Sequence, residues 1–258
     1  MKIYFKQMVI FLLMIVVVSC SSENSTTGSN AYNPIVNPPV TATPTTIPEA
    51  PIAKSIKYLA LGDSYTIGQS VCETCRYPEQ LKSSLKVIYP ETDFSLKVIA
   101  TTGWTTSSLI SSINGQNLES NYDLVTLLIG VNNQFLRIDF SAYEKEFPEL
   151  VNKAIILAKN DKKNVLVLSI PDYAYTPFAS AYSQERRNKI SSEIDKYNSF
   201  AENYCKLKEI EFISITDITR RGLQNSSLVA SDRLHPSEIA YSQFVDVMIP
   251  KVKIALQN

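Results

Sequence analysis

The sequence predicts an α/β fold, a three-layer sandwich in which a central parallel five-stranded sheet carries helices on both faces. Three observations lead there. Five apolar runs of strand length recur between residues 56 and 215, and segments of helical spacing separate them at crossover distances. The first three runs each end in a loop that contains glycine, as strands do where they turn toward a helix.

Taken in order, the amino terminus comes first. Lys2 and Lys6 precede an apolar stretch over residues 8–18, which is too short for a bilayer span of about 20 residues and suits the core of an export signal. Ser19 then stands directly before Cys20, a pattern similar to the lipobox of bacterial lipoproteins. That resemblance implies a signal peptide over 1–19, lipidation of Cys20, and export to a bacterial membrane, on its periplasmic or cell-surface side. Ser, Thr, Asn and Pro dominate from Ser21 to Pro51, and neither Lys nor Arg occurs between Lys6 and Lys54. Such a stretch buries no apolar surface, so 20–54 reads as a disordered tether of roughly 30 Å reach. The remaining residues, 55–258, suffice for one well-cored domain.

The first strand, over 56–61, is ended by Gly62-Asp63-Ser64. A serine just past the carboxyl end of a strand is presented at the sheet edge where α/β proteins keep their sites. Read alone, the tripeptide equally suits a turn in which Asp63 or Ser64 caps a helix. The second strand, over 94–100, runs into Thr101-Thr102-Gly103, and the third, over 123–129, into Gly130-Val131-Asn132-Asn133. Backbone N–H groups or an Asn amide on such loops can face a developing oxyanion, although a plain turn glycine and a self-satisfied loop Asn fit equally well. Residues 144–158 and 183–207 have helical spacing, 164–170 is the fourth strand and 211–215 a short fifth. A final helix starts at Pro236 and turns Ile239, Phe244, Val247 and Met248 toward the core. Residues 134–137 and 171–178 read as loops beside the site. Their aromatics suit an acyl pocket or a sugar face but are expected mostly to pack on neighbours, and Arg137 suits an acidic group but is expected to be a solvated loop arginine.

His235 is the only histidine of the chain. It follows Asp232 by three residues and precedes Pro236, which pushes it into an extended conformation at a helix entrance. From there Asp232 can curl back onto Nδ1 and leave Nε2 free as a base. An isolated D-x-x-H is more often a surface turn.

Together these blocks change that balance. Gly62-Asp63-Ser64, Gly103, Gly130-Val131-Asn132 and Asp232-Arg233-Leu234-His235-Pro236 resemble, in order, the four blocks of the SGNH/GDSL esterase and lipase superfamily, over about residues 56 to 258. The resemblance implies a flavodoxin-like hydrolase fold and a serine ester hydrolase without a cofactor. Ser64 would be its nucleophile, His235 the base and Asp232 the orienting acid. The oxyanion hole would comprise the N–H groups of Ser64 and Gly103 and the amide of Asn132. The third block departs from the family's usual Gly-x-Asn-Asp, with Asn133 in last place, and this bears on loop geometry. Asp63 is left as a structural hydrogen-bonder. Acyltransfer on the same site, or a binding lipoprotein that has lost catalysis, are the alternative functions.

Lys plus Arg equals Asp plus Glu at 25 each, and cleavage before Cys20 removes two lysines and no acid. With no basic run, nucleic acid is an unsuitable partner, and the expected partners are an ester substrate and, through Cys20, a membrane, for a monomeric protein. Cys72-Glu73-Thr74-Cys75 lacks a second pair for a zinc site, and in an exported chain it suits a local disulfide. Cys205 lies on a helical pattern and reads as a small buried apolar residue.

Overall fold

The computed structural model describes residues 51–257, so the signal peptide, Cys20 and residues 20–50 of the tether lie outside the described residues. Five strands form one parallel sheet: β1 (Ser55–Gly62), β2 (Asp93–Ala100), β3 (Leu124–Leu128), β4 (Val165–Leu168) and β5 (Glu211–Ile213). Every residue of β3 and β4 is buried, as the apolar runs of strands covered on both faces require, whereas β2 alternates along most of its length because it is an edge. The spatial order is β2-β1-β3-β4-β5. The chain leaves β1 for one side and returns on the other with β3. The carboxyl ends of β1 and β3 therefore open the crevice where such sheets bind ligands.

The helices are α1 (Ser64–Ile67), α2 (Tyr77–Ile88), α3 (Thr106–Asn114), α4 (Val131–Phe135), α5 (Phe140–Leu157), α6 (Gln184–Lys208), α7 (Thr216–Thr219) and α8 (Glu238–Leu256). One outer layer pairs α2 with α8, and the other packs α3 on α5 and α5 on α6. In the first layer Leu81 and Leu85 of α2, and Phe244 and Met248 of α8, are fully buried. In the second, the Tyr143 and Phe147 rings of α5 stack at 5.2 Å and Tyr197 of α6 closes on Tyr143 at 4.5 Å. Each such side chain stabilises the fold by about 1.5–3 kcal/mol through its buried area.

The elements sit where the pattern predicts, with three differences. Helix α5 starts at Phe140 rather than 144, because Asp139 caps it by accepting from Ser141 N at 2.8 Å. Residues 131–135 form α4 instead of a loop. Helix α8 starts at Glu238 after a Ser237 cap, and its inner face is Ala240, Tyr241, Phe244, Val245, Met248, Val252 and Ala255. Ile239 and Val247, expected inside, are 51% and 41% exposed. Cys72 and Cys75 are disulfide-bonded, and Cys205 is buried, which pushes its thiol up to about 12. Among the described residues no helix is long and apolar enough to cross a membrane, and no cluster of three His, Cys, Asp or Glu could hold a metal ion.

Candidate active site

The turn after β1 is built by close approach. A Cβ on Gly62 would meet Leu128 O at 2.4 Å and Thr66 Oγ1 at 2.1 Å, so only glycine lets the strand pass under α1. Asp63 then caps α1, its Oδ1 accepting from Tyr65 N at 3.0 Å and its carbonyl from Thr66 N and Ile67 N. Ser64 opens the helix and is 3% exposed. The capping alternative and the site reading are thus satisfied by adjacent residues. Asp63 is a hydrogen-bonder at one oxygen only, since Oδ2 is buried with no hydrogen-bond partner. Burial drives its carboxyl up to about 7, against the hydrogen bond from Tyr65.

The loops after β2 and β3 meet this turn. Thr102 Oγ1 donates to Gln69 Oε1 at 2.6 Å and links the Gly103 loop to the end of α1. Gly103 has φ of +85°, a conformation that favours glycine, although a Cβ there would meet nothing within 4 Å. Among the described residues, no hydrogen bond takes the N–H of Ser64 or of Gly103. Asn132 donates from Nδ2 to Trp104 O at 2.9 Å, which fixes its amide beside Gly103 and leaves its second N–H to point elsewhere.

The neighbouring Asn133 is fully buried and explains the departure in the third block. Its Oδ1 accepts from Thr106 N at 3.0 Å and its Nδ2 donates to Thr106 Oγ1 at 2.6 Å. That hydroxyl in turn donates to Glu146, which also accepts from Ser107 Oγ at 2.6 Å. A carboxylate at 133 would compete with Glu146 for the single threonine proton, whereas an amide supplies the missing donor.

The loop from Ala230 to Ser237 closes on itself. Ala230 N donates to His235 O at 2.8 Å and Ser237 N to Leu228 O at 3.0 Å, with Arg233 at φ of +69° making the turn. Asp232 Oδ1 accepts from Leu234 N at 2.9 Å and His235 N at 3.0 Å, and its Oδ2 lies 2.6 Å from His235 Nδ1. Ser70 Oγ donates to the same Oδ2 at 2.7 Å. Partial burial opposes ionisation of Asp232, but the His235 ring, the two N–H groups and the Ser70 hydroxyl together hold the carboxyl down at about 2. His235 is 9% exposed and its ring meets that of Tyr65 edge-on at 5.5 Å.

Asp232 and His235 are thus in direct contact, and Tyr65 brings the ring against the turn that carries Ser64. Among the described residues no hydrogen bond joins the Ser64 hydroxyl to His235. Three contributors escaped the sequence reading. Ser70 and Gln69 showed no local signal, because their partners lie 162 and 33 residues away. Tyr173, read among packing aromatics, is buried and donates its hydroxyl to Gln134 Oε1 at 2.9 Å.

Residues 60–242 match the GDSL-like Lipase/Acylhydrolase family. Curated protein sequences provide no match. Among solved structures, a member of the lipolytic protein G-D-S-L family from Veillonella parvula is similar at 16% identity and TM-score 0.57, over 76% of this chain and 97% of that one. An acetylxylan esterase from Geobacillus stearothermophilus is similar at 18% identity and TM-score 0.60, over 78% and 95%. A lipase/acylhydrolase from Enterococcus faecalis is similar at 16% identity and TM-score 0.59, over 77% and 95%. With a family match across most of its length, this chain belongs to the GDSL-like lipase/acylhydrolase family and is a carboxylic ester hydrolase.

Proposed function

We propose that the protein cleaves short-chain or carbohydrate O-acyl esters through a Ser64-His235-Asp232 triad and an acyl-enzyme. Ser64 Oγ attacks the ester carbonyl carbon as its proton passes to His235 Nε2. The resulting oxyanion is met by the N–H groups of Ser64 and Gly103 and the free N–H of the Asn132 amide. The C–O bond then breaks, and Nε2 gives its proton to the departing alkoxide. Water repeats the sequence on the acyl-serine, which releases the acid and restores Ser64.

The single observation that carries this reading is Asp232. Four donors converge on a carboxyl held at about 2, so it stays ionised and fixes the imidazole with Nδ1–H toward it. A catalytic serine not yet hydrogen-bonded to its histidine is common in unliganded hydrolases, where this bond tightens as substrate arrives. An acetylxylan esterase among the similar structures makes sugar acetates the first substrates to try. The test is turnover of p-nitrophenyl acetate, butyrate and octanoate by the wild type and by Ser64→Ala. Hydrolysis that disappears in the variant supports the assignment, and chain-length preference reads the size of the acyl pocket. Equal turnover by both proteins removes Ser64 as nucleophile.

The same proposal includes export and a lipid anchor on Cys20, supported by the basic start, the apolar run and Ser19-Cys20. Incorporation of an alkyne-labelled fatty acid into the wild type, with loss of the label and of membrane association in Cys20→Ser, is the expected result. Label retained in the variant would place the lipid elsewhere.

A further inference from the structure

Beside the site lies a second concavity of about 420 Å³, walled by α4, α6 and the segment after β4. Four cations line it: Arg137, Arg186, Lys189 and Lys196. The chain as a whole has no net charge, so this concentration is local. Among the described residues, two acids are tied to this cavity, one as part of its lining and one through the charge of Lys196. Glu193 lines the cavity, accepting from Gln134 Nε2 at 2.7 Å and standing 3.9 Å from Lys189. Asp139 feels the charge of Lys196, but it is occupied by the hydroxyl and N–H of Ser141. An excess of two positive charges is left.

The remaining cations are held without a carboxylate. Arg186 lies over the Tyr182 ring at 3.6 Å and Lys196 over the Phe140 ring at 3.8 Å, and among the described residues neither they nor Arg137 enter an ion pair. Aromatic faces fix the position of a cation without neutralising it, so its hydrogen-bond donors stay available.

The cavity is joined to the site through two residues. Tyr173 lines both it and the small hollow that contains Tyr65, Leu234 and His235. Gln134, which receives the Tyr173 hydroxyl, lies two residues after Asn132 on α4. A substrate whose ester sits at His235 therefore has this cavity one side chain away. Phe135, 46% exposed and edge-on to Tyr173 at 5.7 Å, offers an apolar wall between charge and ester.

We propose that this cavity is a specificity subsite for esters that carry an anionic group, a carboxylate or a phosphate, apart from the scissile bond. It rests on the catalytic assignment made above. A guanidinium and an ammonium around one concavity suit the oxygen pairs of either anion.

The experiment uses the full chain and two matched pairs of substrates. One pair is an acetylated xylo-oligosaccharide with and without a glucuronic acid branch. The other is 1-acetylglycerol with and without a 3-phosphate. In at least one pair the charged member should have a KM lower by about tenfold, which corresponds to about 1.4 kcal/mol. The pair that responds identifies the anion. Arg186→Gln combined with Lys196→Gln should erase that preference while p-nitrophenyl acetate turnover stays unchanged, and salt of about 0.5 M should mimic the variant. Equal KM values within both pairs, or a preference that survives the double variant, overturn the proposal. If p-nitrophenyl acetate itself is not hydrolysed, the catalytic assignment is what fails. Calorimetry with glucuronate-bearing oligosaccharide and with glycerol 3-phosphate then tests the cavity alone, and heat lost in the double variant upholds it. Absence of heat with either ligand in the wild type overturns it.

Discussion

Two aspartates flank the site, and the structure drives their acidities in opposite directions. Asp63, beside Ser64, is 1% exposed, receives one N–H and leaves Oδ2 without a partner, and its carboxyl rises to about 7. Asp232, beside His235, receives two N–H groups, a hydroxyl and the imidazole, and falls to about 2. Each lies within three residues of a reactive side chain, Asp63 directly before Ser64 and Asp232 three residues before His235. What separates them is first the depth of burial, complete at Asp63 and partial at Asp232, and then the number of donors that replace lost water, both set by loop geometry.

Asn substitution at each position separates the two aspartates most directly. Asp232→Asn should lower kcat on p-nitrophenyl acetate by about 10⁴-fold, because the amide favours the wrong imidazole tautomer. Asp63→Asn should change kcat by less than about fivefold, since an amide oxygen still accepts from Tyr65 N. A reversed order would exchange the two roles. Next in size, Asn132→Ala should reduce kcat by about 10²–10³ with little change in KM, the signature of a donor engaged only in the transition state. Ser70→Ala removes one of the four donors to Asp232. We expect a loss of about tenfold or less, with the largest deficit on the acid side, because the carboxyl of the variant rises toward its ordinary range. A pH–rate profile identical to wild type would make Ser70 merely a surface contact.

The last effect is on stability. In the folded chain Asp63 keeps its proton up to about pH 7, while in the unfolded chain it is lost near 3.8. The native state therefore binds the extra proton between those values, and the contribution of Asp63 is complete below 3.8 and lost as pH rises through 7. Asp63→Asn cannot titrate. A displacement of about three pKa units is about 4 kcal/mol, so the variant's melting temperature should match wild type at pH 4 and exceed it at pH 8 by about 10 °C, at about 2–4 °C for each kcal/mol. A constant difference across that range would mean that Asp63 is as acidic in the native protein as in the unfolded chain.

Much of this was legible because it is local. The strands announce themselves as apolar runs, and Asp232 and His235 are three residues apart, so a single turn suffices to pair them. The rest depends on distance along the chain. Ser70 meets Asp232 across 162 residues, and nothing in the sequence around Ser70 signals the pairing. Helix α4 has five residues, too few to display a period, and its Gln134 is buried by a partner on the loop after β4. Two misreadings were avoidable in principle. Asp139 ahead of Phe140 is a capping signal for α5, and the alanines and tyrosine of α8 outline its inner face better than Ile239 and Val247 do.

The pairing of Asn133 with Thr106 has a mechanical consequence. Gly103 lies in the loop after β2 and Asn132 on α4, yet Thr106 opens the helix that follows the first, and Asn133 is the immediate neighbour of the second. Two buried bonds make them ends of one strut, braced against α5 through Glu146. A force that displaces one end carries the other with it, so the gap between Gly103 and Asn132 keeps its width while its position shifts. The opposite wall, the loop of Asp232 and His235, hangs on a different set of bonds. Motion across the crevice therefore changes the spacing between those two bodies and not the spacing within either.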